Sequence, residues 1–155
     1  MDFNLHWQLF STEGRKRVKL CNDVITVFNA RVDPGTRGDV WVPTVIRGAS
    51  WFAAKAARVD ASRGGLAAAG ACVIRIPVEA DAGGKEYAAP ARYREDPAGR
   101  WTLRGGDVIA RGAVPDGDWS PAALRAAGFE CVTVTGVTDN RRGTRGKHWR
   151  VEGKF

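Results

Sequence analysis

The chain has 155 residues, of which 44% are hydrophobic and 26% charged, and a formal net charge of +7. That length suits one domain with an appendage and allows a core to be buried without disulfides or metals. Mean hydropathy is −0.28, and no apolar run is long enough to cross a bilayer, so no membrane association is expected. The opening Met1-Asp-Phe-Asn-Leu-His lacks the basic-then-apolar profile of a secretory leader, so the protein is expected to be soluble and made in the cytoplasm.

Residues 1–22 read as an extension. Phe3, Leu5, Trp7 and Leu9 alternate with strand period, and the cluster Arg15-Lys16-Arg17-Val18-Lys19 follows. Two readings stand side by side: an arm anchored by Phe3, Leu5 and Trp7, or an ordinary first strand and loop. The main domain is placed at 23–155. Val24-Ile-Thr-Val-Phe28 is β-branched and apolar and predicts a strand. Asp33-Pro34-Gly35 predicts a turn. Asp39 to Arg47 predicts a second strand, with Pro43 confined to an edge, a bulge or a break. Gly48 to Val59 is read as that strand running on, although its alanines would also suit a helix.

Ala71 to Pro77 predicts a strand and Ala82-Gly-Gly-Lys85 a turn. Residues 89–99 read as a loop or a short helical turn. Trp101 to Ala110, around Gly105-Gly106, predicts a β-hairpin. Ser120-Pro121 opens the one predicted helix, spanning about 120–128, because Ser caps the first amides, Pro fits the first turn and Gly128 ends it. Glu130 to Val137 and His148 to Val151 complete the strands. The expected fold is mainly β: a small β-barrel or sandwich with one short helix and an N-terminal extension.

Chemistry-bearing patterns are sparse. Cys21, Cys72 and Cys131 form no C-x-x-C, and Cys72 and Cys131 sit in apolar stretches as small buried hydrophobes. His6 and His148 complete no metal motif, and no G-x-S-x-G accompanies Asp139 and His148. The glycine pairs lack phosphate-loop frames and read as turns. No catalytic residue, metal or cofactor is expected, and the chain is read as not an enzyme.

The second basic cluster is Arg141, Arg142, Arg145, Lys147 and Arg150, with Gly143 and Gly146 between them. A loop of this kind suits phosphate contact or docking on an acidic protein surface, and it also suits plain solvation. Six tryptophans are many for this length, and aromatic residues interleaved with basic ones can stack single-stranded bases, but no strand alternates the two. For Trp41 and Trp51, inside strands, core or interface packing is favoured over base stacking.

Asp23-Val-Ile-Thr-Val-Phe-Asn29, Asp39-Val-Trp-Val-Pro-Thr-Val-Ile-Arg-Gly-Ala-Ser-Trp51 and Ile74-Arg-Ile-Pro77 occur in that order. Leu103 to Gly112, Val137-Thr-Asp-Asn-Arg141 and His148-Trp-Arg-Val151 follow. This ordered set resembles small head-completion proteins of siphophages from Gram-positive hosts, over about 23–153. The resemblance implies a β-barrel head-closure or stopper subunit at the phage neck. It further implies a six-fold or twelve-fold homo-oligomeric ring, portal or adaptor and tail-terminator partners, and contact with packaged double-stranded DNA. Arg141 to Lys147 would then face the lumen or a neighbouring ring. The competing expectations are a nucleic-acid-binding OB-like module, a tail terminator or a capsid decoration protein.

Overall fold

The computed structural model describes residues 21–53 and 70–155. The expected arm anchors Phe3, Leu5 and Trp7, the cluster at 15–19 and the continuation of the second strand beyond Ala53 lie outside the described residues. The described residues form eight strands: β1 Asp23–Val32, β2 Asp39–Ala53, β3 Ala71–Pro77, β4 Glu86–Tyr87, β5 Arg100–Trp101, β6 Val108–Arg111, β7 Cys131–Asn140 and β8 His148–Lys154. Among the same residues two helices interrupt them, α1 Pro90–Glu95 and α2 Pro121–Ala126.

Six strands close on themselves in the order β1-β2-β3-β8-β7-β6, every neighbouring pair antiparallel. The expectation of a mainly β, barrel-like fold is met. Period-two alternation divides each strand between two faces. Ile25, Val27, Ile46, Trp51, Ile74, Ile76, Ile109, Val132, Val134, Trp149 and Val151 fill the interior. β2 runs 15 residues yet keeps Ile46, Ala49 and Trp51 all buried. Gly48, at φ 94°, shifts the alternation between them, a conformation that a side chain would strain.

The outward residues Phe28, Val108, Ala110 and Cys131 form a second cluster with Val114 and Leu124. Leu124 is 1% exposed, and burying it fastens α2 to the outside of the barrel with about 1.5–3 kcal/mol. α2 starts as expected: Ser120 Oγ accepts from the Ala123 amide at 3.1 Å, and Pro121 follows. Gly128, at φ 89°, ends it.

Two expectations need correction. The expected single helix is joined by a second, because the helical reading of 89–99 holds at 90–95, opened by Pro90 without a side-chain cap and held by buried Tyr93. The segments around Gly105-Gly106 are not hairpin partners. Trp101 pairs in parallel with Tyr87, whereas β6 lies between β1 and β7. The tight turn exists, with Gly106 at φ 92°, but tertiary partners claim both arms. Pro43 lies where expected. Its carbonyl points away from β1 and accepts from Lys85 Nζ at 2.8 Å, so its missing amide faces the same open edge.

Candidate functional site

The turn joining β1 to β2 marks one end of the barrel, here the upper end. The antiparallel ladders bring the ends of β3 and β7 and the start of β8 to that same end. The basic cluster therefore forms the upper β7–β8 loop, 141–147, as the sequence predicts. Arg141, Arg142, Arg145 and Lys147 are all exposed.

Arg141 differs from the other three. Its Nε and Nη2 donate to Asp139 Oδ1 and Oδ2 at 2.8 and 2.7 Å, a two-pronged contact. Its guanidinium carbon lies 5.0 Å from the Trp149 ring centre and 5.2 Å from that of Tyr87. Both distances are within cation–π range. Tyr87, Trp101 and Trp149 pack against one another, with ring centres 4.3 to 5.4 Å apart. The Arg141 guanidinium in turn holds the Asp139 carboxyl down at about 2. Arg141 is thus a strap from the loop to the aromatic wall, and Arg142, Arg145 and Lys147 are the cations left for a partner. The loop base is tied as well. The Val78 amide donates to the Lys147 carbonyl at 3.1 Å, and His148 Nδ1 bonds the Gly146 carbonyl at 2.6 Å. That second bond assigns the ring proton to Nδ1.

A buried polar network supports the upper end. The Asn29 side-chain amide donates to the Thr102 carbonyl at 2.8 Å and to Asp107 Oδ2 at 2.9 Å, and Asn29 Oδ1 accepts from the Thr102 amide at 3.2 Å. Asp107 Oδ1 accepts from the Ala30 amide at 3.1 Å and from Arg104 Nε at 3.2 Å. Beside this network lies a cleft of about 370 Å³ lined by Arg31, Val32, Asp39, Tyr93, Arg94 and Arg104. Sequence reasoning missed these residues. They come from three separated segments, and no spacing rule links them. It also missed Lys85, whose half-buried ammonium bridges the Pro43 carbonyl and Thr44 Oγ1 and whose pKa burial lowers.

The tryptophans answer the question of base stacking. Trp51, Trp101 and Trp149 are 7%, 3% and 4% exposed, and Trp41 and Trp119 pack on the outer cluster. The three buried rings offer no free stacking platform, whereas Trp41 and Trp119 stay partly exposed. Cys72 and Cys131 are buried as expected, and burial pushes the Cys72 thiol up to about 12, far from a reactive thiolate. Among the described residues no group of three or more His, Cys, Asp or Glu could hold a metal, and no helix is long and apolar enough to cross a membrane.

No curated protein and no solved structure matches the chain. A family model does match, over residues 20–154, which takes in both basic surfaces at the upper end and begins just before β1. The chain belongs to that family, a family of unknown function designated DUF6751.

Proposed function

We propose that the protein is a non-enzymatic structural subunit of the phage head–tail connector, a head-closure or stopper ring component between portal or adaptor and tail. One observation carries the reading. A closed barrel with an apolar interior carries the exposed cations Arg142, Arg145 and Lys147 on a loop at one end, and its Trp51, Trp101 and Trp149 side chains are turned inward. Such a body supports a reading as a docking subunit. The exposed Val32 and Val40 of the β1–β2 hairpin, 63% and 42% accessible, add apolar contact beside those cations. Cyclic assembly from heterologous contacts needs two different surfaces on each subunit. Arg142, Arg145 and Lys147 then face packaged DNA or a neighbouring ring.

The second reading, a free nucleic-acid-binding module, draws on the +7 charge. The burial of Trp51, Trp101 and Trp149 weighs against its single-strand form. Quantitative mass spectrometry of purified tailed particles from the source organism tests the proposal. A count of about six to twelve copies per particle is expected for one closed ring. Hundreds of copies would move the protein to the shell or tail tube. Absence from particles would overturn the reading in favour of the nucleic-acid module.

A further inference from the structure

The cleft at the upper end sets three arginines, Arg31, Arg94 and Arg104, against a single lining carboxylate, Asp39, and so keeps an excess of positive charge. Arg31 projects from β1 just past Phe28, where β6 stops covering the β1 edge. Arg94 comes from α1 and Arg104 from the turn before β6. Only Arg104 is paired, to Asp107, whose carboxylate is already committed to Asn29 and the Ala30 amide. Among the described residues, neither Arg31 nor Arg94 has an ion-pair partner. Tyr93, which is 1% exposed, forms the floor, and its hydroxyl is buried with no hydrogen-bond partner. The exposed Val32 and Val40 supply an apolar rim. The site therefore calls for an acidic group flanked by apolar atoms.

The chain itself carries such a group elsewhere. Pro115-Asp116-Gly117-Asp118 is an exposed segment with two carboxylates, and neither has an ion-pair partner among the described residues. The segment is held in place. Trp119 Nε1 donates to the Pro115 carbonyl at 2.8 Å, and the Trp119 ring packs edge-on against Phe129 at 5.8 Å. It follows β6 and turns back along the outside of the barrel, where the Val114 amide donates to Thr26 Oγ1 at 3.0 Å. None of its residues lines the cleft.

We propose that the cleft of Arg31, Arg94 and Arg104 receives the Asp116–Asp118 segment of a second copy of this chain. The contact is heterologous, because cleft and acidic segment are different surfaces, and repeated it builds a ring where its rotation closes and an open filament where it does not. The inference rests on the ring-subunit reading for its biological setting, but the contact can be tested alone.

The experiment is sedimentation of the full chain at low salt and at concentrations up to millimolar, with two variants. One carries Arg31→Glu and Arg94→Glu, the other Asp116→Lys and Asp118→Lys. All four positions are exposed, so folding should survive, which circular dichroism checks. Wild type should self-associate, and added salt should weaken it. Each variant alone should associate at least about tenfold more weakly, since it sets like charges face to face. A one-to-one mixture of the two should recover association, because each cleft again meets a segment of opposite charge. A monomeric wild type, or variants that associate as wild type does, would overturn the proposal. So would a cleft variant that loses only affinity for duplex DNA, which would make phosphate the occupant. The two failures are distinguishable. Ring-level copies in particles with indifferent variants sink the contact alone, whereas absence from particles with sensitive variants sinks the neck reading alone.

Discussion

Replacing Asp107 should do more damage than any other single polar change at the upper end. Its side chain is fully buried and accepts three hydrogen bonds, from Asn29, from the Ala30 amide and from Arg104. Asp107→Ala leaves a buried amide, a backbone N–H and a guanidinium without their acceptor. Hydrogen bonds to a charged group are worth about 1.5–3 kcal/mol each, but they are not additive. Removing one partner of a buried ionic cluster costs about 3–5 kcal/mol, and Arg104 is partly solvated, so about 4 kcal/mol is the expected loss. Asp107→Asn keeps one acceptor oxygen and turns the other into a donor facing a donor. It should cost about 2–3 kcal/mol. Urea unfolding measures both. With a slope of about 2 kcal/mol/M, the alanine variant's midpoint should fall by roughly 2 M. The exposed Asp116→Ala is the control and should stay within about 0.5 kcal/mol of wild type. An Asp107→Ala midpoint no lower than that control, or an asparagine variant worse than the alanine one, would refute the account of the network.

Gly153 should tolerate no side chain, because an added Cβ would lie 2.6 Å from Val132 Cγ2 and 2.9 Å from Val132 Cβ. Gly153→Ala is expected to cost about 1–3 kcal/mol in thermal or urea unfolding, and Val132→Ala in the same chain should recover part of it; strictly additive losses would contradict the packing. Asp139 should titrate near 2 in carbon-detected NMR and return toward the ordinary 3.8 in Arg141→Ala. Because its folded pKa is depressed, the stability it contributes is complete above the unfolded pKa near 4 and disappears as pH falls toward 2, so an unshifted wild-type titration would dissolve the strap.

Strands such as Ala71–Pro77 were legible because apolar alternation between turn residues has few other solutions, and Ser120-Pro121 signalled α2 through capping chemistry alone. The helix at Pro90–Glu95 was only half legible, as the helical one of two readings of 89–99. It has six residues and no side-chain cap, and what holds it is Tyr93 burying itself against residues distant in sequence. The hairpin expected at 101–110 failed for a related reason. A glycine turn predicts a reversal of direction, but it cannot say whether the two arms pair with each other or with third parties. At the candidate site, the cluster 141–147 was visible as charge density between two strands. That Arg141 is withdrawn from it was invisible, since Tyr87 and Trp149 meet only once the barrel has closed. The arginine cleft has no linear signature at all.

Closure of the barrel also limits how this chain can associate. A strand edge is the usual place for a second chain to add, and a closed sheet offers few. Where β1 and β2 run on past the other strands, the exposed backbone is already engaged. Asp107 takes the Ala30 amide, Pro43 has no amide to give, and Lys85 takes the Pro43 carbonyl. Backbone pairing is thereby blunted at those positions, and side chains are left to make the contacts. At the upper end those side chains are chiefly arginines with a few exposed valines. Contacts of that composition form quickly through charge, weaken with salt and come apart without unfolding. That behaviour fits the ring-subunit reading proposed above. An obligate oligomer would instead expose a broad apolar face, and the large exposed hydrophobics among the described residues include one close pair, Val32 and Val40, at the hairpin beside the arginines.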